Sequence, residues 1–342
     1  MRTTGPVADT FLERLDAEEG SRLSPLAVRS LHTRGRLVDE VACGLRSPFQ
    51  RDRDRIAHCK AFRRLMHKTQ VFVAPEGDHY RTRLTHTLEA VGISRTVARA
   101  LRLNEDLTEA IGLGHDLGHP PFGHAGEAGL DAALAARFGR SFRHNEHSLR
   151  VVDVLERDGR GLNLTLEVRD GILNHTGPVV PESLEGRIVK LVDRVAYINH
   201  DIDDALLAGV LDAADLPEGP VALLGATGST RIDAIVHDLV ETSTVAGDIR
   251  QSEEFSEAML ALRTFLFERV YGQGPLRAEA DRAKFVVGSL FAYFCDHPDE
   301  LGDDDPGFDL ATRVTDHVAG MTDRFALRRF EELLLPRGQA GP

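Results

Sequence analysis

Histidine and aspartate side chains cluster in two short stretches of this chain. The sequence Arg-Leu-Thr-His ends at His86, and His115 and Asp116 later begin a stretch, 115–124, that holds two more histidines. Neutral imidazole suits transition metals and carboxylate adds a hard anionic oxygen, so this mixture can hold one divalent ion that still binds water and phosphate. Such an ion acts as a Lewis acid toward a phosphoryl oxygen. The residue types therefore indicate metal-assisted hydrolysis.

The residues before His115 predict how the His-Asp pair is positioned. An isolated pair of this kind is more often a surface turn or a helix cap. Here, however, residues 107–114 carry apolar side chains at helical spacing, so we expect the pair near the end of a buried helix. A Pro-Pro dipeptide then stops the helix. His119 and His124 are expected on or just past its end, in a loop that a ligand can reach.

Seven segments between about residues 46 and 204 together resemble one family, the HD-domain metallohydrolases, and within it the deoxynucleoside triphosphate triphosphohydrolases. Their order along the chain also matches, which makes a chance match very unlikely. The segments are Arg-Ser-Pro-Phe-Gln-Arg-Asp-Arg-Asp-Arg-Ile (46–56), Ala-Phe-Arg-Arg-Leu (61–65), Lys-Thr-Gln-Val-Phe (68–72), Arg-Thr-Arg-Leu-Thr-His (81–86), the His-Asp stretch 115–124, Phe-Arg-His-Asn-Glu (142–146) and Val-Asp-Arg-Val-Ala-Tyr-Ile-Asn-His-Asp (192–201).

The resemblance implies a set of four metal ligands, namely His86, His115, Asp116 and Asp193. On chemical type alone, Asp193 and Asp201 are both candidates for the fourth position, and Asp193 matches the position of the family. Asp193, Tyr197 and Asp201 follow one another at steps of four residues and so share one helix face. We interpret Tyr197 and Asp201 as groups that face the sugar; the alternative for Tyr197 is a core aromatic residue with a satisfied hydroxyl.

The remaining polar residues of the matched segments are expected to hold a substrate with several negative charges, because guanidinium groups bind phosphate oxygens bidentately. Arg83 is the strongest candidate, since it lies three residues before His86. A solvated surface is the usual place for an arginine, so we expect about half of the candidates to contact phosphate. The pocket for the base is expected along residues 68–72. The predicted substrate-binding set is Arg51, Arg55, Arg64, Arg83, Arg194, Gln70, Tyr197 and Asp201.

The resemblance also implies a reaction: water or hydroxide attacks the α-phosphorus, and the deoxynucleoside and intact tripolyphosphate leave. We interpret His124 as the acid that protonates the leaving 5′-oxygen, with Glu127 orienting its ring and raising its pKa. His119 and His144 are expected to flank the phosphates, although a structural role for His144 is nearly as good an interpretation. We place His175 outside the site, because its flanking Gly and Pro residues indicate a loop between helices.

Composition limits the classes of protein that this chain can be. Its 342 residues are 42% hydrophobic, which is ample for a core, and its three cysteines are too few for a disulfide framework or a thiolate zinc site. There is no apolar run of membrane-spanning length and no signal-peptide core, so we expect a cytoplasmic protein. The net charge of −13 argues against sequence-independent duplex binding. The basic stretch 46–83 suits a small anionic substrate or a single strand.

The pattern of apolar residues and breakers predicts an all-α fold. We expect helix over 9–45 with a start at Ser24-Pro25, helix after helix from 56 to about 208, and a small hairpin over 72–79. The second His-Asp pair, His237-Asp238, has no matching motif around it and is explained by surface exposure. The predicted organisation is an N-terminal arm (1–45), an HD core (46–210), a linker or mobile loop (211–230), a helical C-terminal extension (231–335) and a disordered tail (336–342).

The resemblance further implies one divalent metal per site, and a set of two histidines and two carboxylates accepts Mn, Fe, Ni, Co, Zn and, less well, Mg. It also implies homo-oligomers, commonly hexamers or tetramers, in which dNTPs can act as allosteric activators. Two alternatives stay open. One is another HD enzyme, a phosphodiesterase or a nucleoside monophosphate phosphatase, and the other is a protein that binds nucleotides or single-stranded nucleic acid without turnover.

Overall fold

A computed structural model describes residues 6–70, 81–271, 274–302 and 307–336. The only β pairing between described residues consists of two isolated bridges, Arg36 with Thr165 and Thr69 with Thr82, so the all-α prediction is confirmed. The hairpin predicted for 72–79 and the tail beyond 336 lie outside the described residues. The helices are α1 (Pro6–Arg22), α2 (Pro48–Ala57), α3 (Lys60–Arg64), α4 (Arg83–Ala100), α5 (Glu105–Gly114), α6 (Gly123–Phe138), α7 (His144–Arg150), α8 (Glu156–Gly159), α9 (Leu166–Asn174), α10 (Leu184–Leu207), α11 (Glu218–Leu224), α12 (Gly228–Ala246), α13 (Glu253–Leu266), α14 (Gly274–Asp296), α15 (Leu310–Ala319) and α16 (Asp323–Leu334).

Polar caps fix the start of the three helices that carry or precede the His and Asp residues. At α4, the Thr82 hydroxyl accepts from the Thr85 N–H, and the Thr85 hydroxyl accepts from the Thr82 N–H. Asn104 and Ser183 cap α5 and α10, each accepting from the N–H three residues further on. Such a cap satisfies an N–H group that the helix itself cannot, and contributes about 1 kcal/mol.

Helix α5 lies at the centre of the first hydrophobic core, where it packs against α2, α4, α9 and α10. Its Ile111 is fully buried and belongs to the same cluster as Phe49 and Ile172. A Cβ on Gly114 would lie 2.5 Å from Cδ1 of Ile172, so the close approach of α5 and α9 requires glycine there. This packing fixes the end of α5, which the His-Asp pair follows.

The C-terminal helices pack on two sides of the segment predicted as the HD core. Helix α14 lies along α6, where Phe291 and Leu130 share one cluster. Helix α13 packs on α10, where Leu262 and Ile202 share another. The extension is therefore continuous in packing with the helices that carry the predicted site.

The prediction for the N-terminal segment is wrong beyond Arg22, where α1 ends. Ser24 was predicted to start a helix, but it lies outside the helices, and its N–H donates to the carbonyl of Arg102 at 2.7 Å. Further along, the N–H of Ser30 donates to Glu19 at 2.7 Å. Backbone groups that a helix would have used are bonded to other parts of the fold, so tertiary contacts override local helix propensity here.

The segment 211–230, predicted as a linker or mobile loop, contains helix α11. Leu216 and Leu224 from this segment are buried in the cluster that α10 and α13 form. The segment therefore contains a helix and buried leucines, where its Pro and Gly residues had indicated a linker. The domain boundaries themselves stay predictions.

The three cysteines form no disulfide among the described residues. Cys43, Cys59 and Cys295 are free thiols, of which the last two are buried and Cys43 is half-buried. Of the helices in the described ranges, none combines the length and the apolar character that crossing a bilayer needs.

Candidate active site

The four residues predicted as metal ligands lie together. His86 is in the first turn of α4, His115 and Asp116 follow α5, and Asp193 is in α10. Nε2 of His86 is 3.0 Å from Oδ1 of Asp193. Nε2 of His115 is 3.5 Å from Oδ1 of Asp116 and 3.5 Å from Oδ1 of Asp193. This cluster of histidine and aspartate side chains is typical of the metal site of an HD domain.

The surroundings of His115 show that the cluster fits a cation. Its Nδ1 donates to the carbonyl of Gly112 at 2.7 Å, so a neutral ring carries its lone pair on Nε2. That Nε2 is buried and has no hydrogen-bond partner among the described residues. Burial lowers the pKa of His115, but the carboxylates of Asp116 and Asp193 outweigh it and raise the pKa to about 9. Two imidazoles and two carboxylates suit a divalent metal, which would take the place of the proton on Nε2 of His115.

Two residues that sequence analysis did not identify orient His86. Nδ1 of His86 lies 3.1 Å from Nδ1 of His200, whose Nε2 lies 2.9 Å from a carboxylate oxygen of Glu89. Burial lowers the pKa of His200 and favours its neutral form. His200 therefore donates to Glu89 and accepts from His86, which leaves the Nε2 lone pair of His86 for a metal. The spacing of His200, seven residues after Asp193, is a signal that could have found it.

Arg83 lies beside the metal ligands and is 1% exposed. Its Nη1 donates to Oδ2 of Asp116 at 2.8 Å. Its Nε and Nη2 are buried and have no hydrogen-bond partner in the part of the chain that the structure describes. A cavity-lining guanidinium with donors to spare can bind phosphate oxygens without first losing another partner.

A second cluster contains the residues predicted to act in proton transfer. One oxygen of Glu127 accepts from Nδ1 of His124 at 3.1 Å, and the other accepts from Nδ1 of His144 at 2.8 Å. The rings of His119 and His144 are stacked with centroids 3.9 Å apart. Burial raises the pKa of Glu127, but the hydrogen bonds from His124 and His144 outweigh it and hold that pKa well below its ordinary value. Glu127 is thus an anion that orients two imidazoles.

The prediction that His175 lies outside the site is wrong. Its Nε2 is 3.2 Å from Nε2 of His144, and its ring centroid is 5.1 Å from that of His115. Burial lowers the pKa of His175 to about 3, and its Nδ1 donates to the carbonyl of Ile172 at 2.7 Å. The neutral ring therefore carries its lone pair on Nε2, and it lies between the two clusters. The Gly and Pro residues nearby indicated the loop correctly but not what the loop packs against.

A cavity of about 980 Å³ adjoins both clusters. Its lining includes four members of the predicted substrate-binding set: Gln70, Arg83, Arg194 and Tyr197. Asp201 is buried behind this wall and accepts a hydrogen bond from the hydroxyl of Tyr271, which lines the cavity. Burial raises the pKa of Asp201 to about 8, so its carboxyl is predominantly neutral at pH 7.

The structure does not bring Arg51, Arg55 and Arg64 to this cavity, which corrects their assignment to phosphate binding. Arg51 and Arg55 both pair with Glu40, at 3.2 and 2.6 Å. Arg55 also donates to the carbonyl of Leu162 at 2.8 Å. Arg64 is exposed. The first two arginines thus tie the N-terminal segment to the core, a role that residue type alone does not separate from phosphate binding.

Part of the cavity wall comes from the C-terminal extension and was not predicted; its residues include Gln251, Arg263, Tyr271 and Lys284. Most apolar residues of the helices in that region belong to the hydrophobic core. No local spacing relates Tyr271 or Lys284 to the His-Asp motif. Their contribution depends on how α13 and α14 pack against the site.

Comparison with known proteins agrees with this geometry. The family model described as the HD domain matches residues 83–198, and the one described as the phosphohydrolase-associated domain matches residues 249–332. A deoxyguanosinetriphosphate triphosphohydrolase-like protein from Caldanaerobacter subterraneus subsp. tengcongensis is 53% identical over 92% of this chain and 93% of its own length. A protein of the same name from Desulfatibacillum aliphaticivorans is 43% identical over 96% of this chain and 99% of its own.

The model of the HD domain covers the four predicted metal ligands, and the model of the phosphohydrolase-associated domain covers the C-terminal wall of the cavity; the relatives match almost the whole chain. The chain therefore belongs to the deoxyguanosinetriphosphate triphosphohydrolase-like proteins of the HD phosphohydrolase superfamily.

Proposed function

We propose that this protein hydrolyses deoxynucleoside triphosphates to deoxynucleoside and tripolyphosphate. The observation that carries the proposal is the combination of one cluster of predicted metal ligands with cationic side chains from four helices, Arg263 of α13 among them, around a cavity of about 980 Å³. Arg83 comes from α4, Arg194 from α10 and Lys284 from α14. A triphosphate brings several negative charges to one place, and such a wall suits it. The names of the relatives point to the same substrate class.

A divalent metal held by His86, His115, Asp116 and Asp193 would act as a Lewis acid toward a phosphoryl oxygen and lower the pKa of a water molecule. Mn, Fe, Ni, Co, Zn and Mg are all compatible with this donor set. The side chains of the protein then have separate tasks. Arg83 holds phosphate oxygens through Nε and Nη2, which have no other partner among the described residues.

His124 is the group that we assign to the leaving oxygen. Glu127 holds its Nδ1, and the side chain is 55% exposed, so Nε2 can reach a substrate in the cavity. As water oxygen bonds to the α-phosphorus and the bond to the 5′-oxygen breaks, His124 gives that oxygen a proton. Tyr197 and Tyr271, with Asp201 behind them, supply the hydroxyl-bearing part of the wall that we assign to the sugar.

Incubation of the purified protein with each dNTP and with GTP, in Mg or Mn, tests the proposal when the products are resolved by anion-exchange chromatography. Tripolyphosphate and deoxynucleoside are the expected products. Orthophosphate or pyrophosphate would place the cut elsewhere and favour a phosphodiesterase or monophosphatase, and no product with mixed dNTPs would favour a protein that only binds nucleotides or single strands. Homo-oligomers and activation by dNTPs are part of the same proposal. Size-exclusion chromatography with and without dNTP tests the first, and the rate of hydrolysis of one dNTP with and without a second dNTP tests the other.

A further inference from the structure

Asp323, the first residue of helix α16, joins two segments of the cavity wall. Its side chain is buried at 4% exposure. Oδ1 accepts from the N–H of Phe122 at 2.9 Å. Oδ2 accepts from the N–H of Thr69 at 2.9 Å and from its hydroxyl at 2.7 Å. One carboxylate from the C-terminal extension thus holds the residue before Gln70 and the residue two before His124.

The backbone at Phe122 shows why a partner is needed there. Phe122 is left-handed, with φ 64° and ψ 27°, a conformation that is unfavourable for a residue with a Cβ. Gly123 follows with φ 57°, and a Cβ on it would lie 2.5 Å from the carbonyl oxygen of Gln70. The turn at Phe122 and Gly123 therefore packs closely against residues 69–70, the segment that Asp323 also holds. Its geometry sets the start of α6, whose second residue is His124 and fifth is Glu127.

Lys68 adds a second tie between the same parts of the protein. Its side chain is buried at 3% exposure, and its ammonium donates to the carbonyls of His119 and Ala319, the latter at 2.9 Å. Ala319 ends α15, just before α16. The loop 119–123 is thus attached at both of its ends to the C-terminal helices through buried polar groups.

We propose that Asp323 is a positioning residue for His124: it holds Phe122 in its left-handed conformation against residues 69–70 and so places His124 at the cavity wall, with Glu127 hydrogen-bonded beside it. The C-terminal extension then serves catalysis through this contact as well as through the side chains that line the cavity. The proposal rests on the proposed function, because His124 is the acid of that reaction.

The variant Asp323→Asn tests this in the full-length protein. Asparagine keeps one carbonyl oxygen but turns a donor toward Thr69, so it cannot serve both segments. The matched control is Thr322→Ala, which removes the N-cap of the same helix, where Thr322 accepts from the N–H of Phe325, and leaves the carboxylate in place. Thr69→Ala removes only the hydroxyl contact and serves as a milder second variant.

Hydrogen–deuterium exchange of peptides covering 67–70 and 119–125 reports the contact directly. We expect faster exchange there in Asp323→Asn and not in Thr322→Ala. In steady-state kinetics with dNTP, we expect kcat to fall about tenfold or more in Asp323→Asn, because misplacing a reacting group costs rate, while KM and metal content stay within about twofold of wild type. Thr69→Ala should show smaller changes of the same kind.

Unchanged exchange in Asp323→Asn would overturn the inference whatever the activity. Faster exchange with unchanged kcat would overturn it too, and so would equal loss of kcat in Thr322→Ala, which would mean that Asp323 only stabilises α16. The two proposals can also fail separately. If wild-type protein releases no tripolyphosphate but Asp323→Asn still exchanges faster, the proposed function is contradicted while the contacts of Asp323 with both segments are established.

Discussion

The two oxygens of Asp116 face different partners. Oδ2 accepts from Nη1 of Arg83 at 2.8 Å, and Oδ1 lies 3.5 Å from Nε2 of His115. Both Arg83 and Asp116 are buried, at 1% and 3% exposure. The Asp116 carboxylate thus connects Arg83, predicted to bind phosphate, with His115, a predicted metal ligand, and it fixes the position of the first relative to the second.

This connection predicts that Arg83→Lys lowers kcat/KM for dNTP by about a hundredfold. A lysine keeps the charge but cannot both hold Asp116 and offer two further donors to phosphate. Steady-state kinetics measures the change, and Arg64→Lys, at an exposed position outside the cavity, should stay within about twofold of wild type. Equal effects of the two substitutions would remove Arg83 from the phosphate site.

Loss of a metal ligand should abolish metal binding and turnover together. We expect this for His115→Ala, because no other described residue offers a lone pair at the place of its Nε2. The chain contains its own control in the second His-Asp pair: His237 is 76% exposed, and His237→Ala should retain metal and activity. Metal analysis alongside kinetics measures both, and a His115→Ala protein with its metal intact would contradict the ligand assignment.

His124→Ala should separate metal binding from catalysis. The side chain hydrogen-bonds to Glu127 and not to any of the four ligands, so metal content should equal that of wild type. General acid catalysis contributes about 10²–10⁴-fold, and kcat should fall by that order. A fully active His124→Ala enzyme would exclude it as the acid.

His200→Ala should weaken metal binding without removing a ligand. Outer groups that orient a metal-binding histidine contribute about 10–100-fold in affinity, and His200 accepts from Nδ1 of His86 at 3.1 Å. Titration with a chelator measures the metal dissociation constant. His58→Ala, at an exposed position, is the control; equal affinity in wild type and His200→Ala would mean that His86 needs no support.

Asp201 predicts a dependence of stability on pH. Its pKa is about 8 in the folded protein because of burial, against about 3.9 in an unfolded chain. Between these values the folded state binds one more proton, so this group lowers the free energy of unfolding as pH rises from about 4 to about 8, and the loss levels off above that.

In Asp201→Asn that contribution disappears. We therefore compare the free energy of unfolding of the variant minus that of wild type at two pH values. We expect this difference to be more positive at pH 8 than at pH 5, by at least about 1 kcal/mol. Urea unfolding at the two pH values measures the difference. Asp233→Asn, whose side chain is 78% exposed, should show no such change, and a flat difference for Asp201→Asn would mean that this carboxyl is ionised in the fold.

The site residues that could be identified from the sequence are those that belong to short motifs with a recognisable spacing. His86, His115, Asp116 and Asp193 stand in recognisable motifs, and the structure places each within 3.5 Å of another member of the set. Arg51 and Arg55 belong to equally recognisable segments, yet a carboxylate of the N-terminal segment, Glu40, takes them as partners. Local sequence does not determine which anion a half-buried arginine will pair with.

The residues that were missed reach the site through packing between distant parts of the chain. His175 arrives because α9 packs on α5, and Tyr271 because α13 packs on α10. The N-terminal segment shows the same effect on secondary structure, since Glu19 takes the backbone N–H of Ser30. Local patterns thus predicted most of the helices, and the family resemblance implied four metal ligands that the structure brings close together, while tertiary contacts decided the remaining walls of the cavity.

The central claim is attack by water on the α-phosphorus with cleavage of the bond to the 5′-oxygen, and turnover of a dNTP in ¹⁸O-labelled water tests it most directly. Mass spectrometry of the products should find one ¹⁸O atom in tripolyphosphate and none in the deoxynucleoside. Label in orthophosphate or pyrophosphate, or in the deoxynucleoside hydroxyl, would contradict the account.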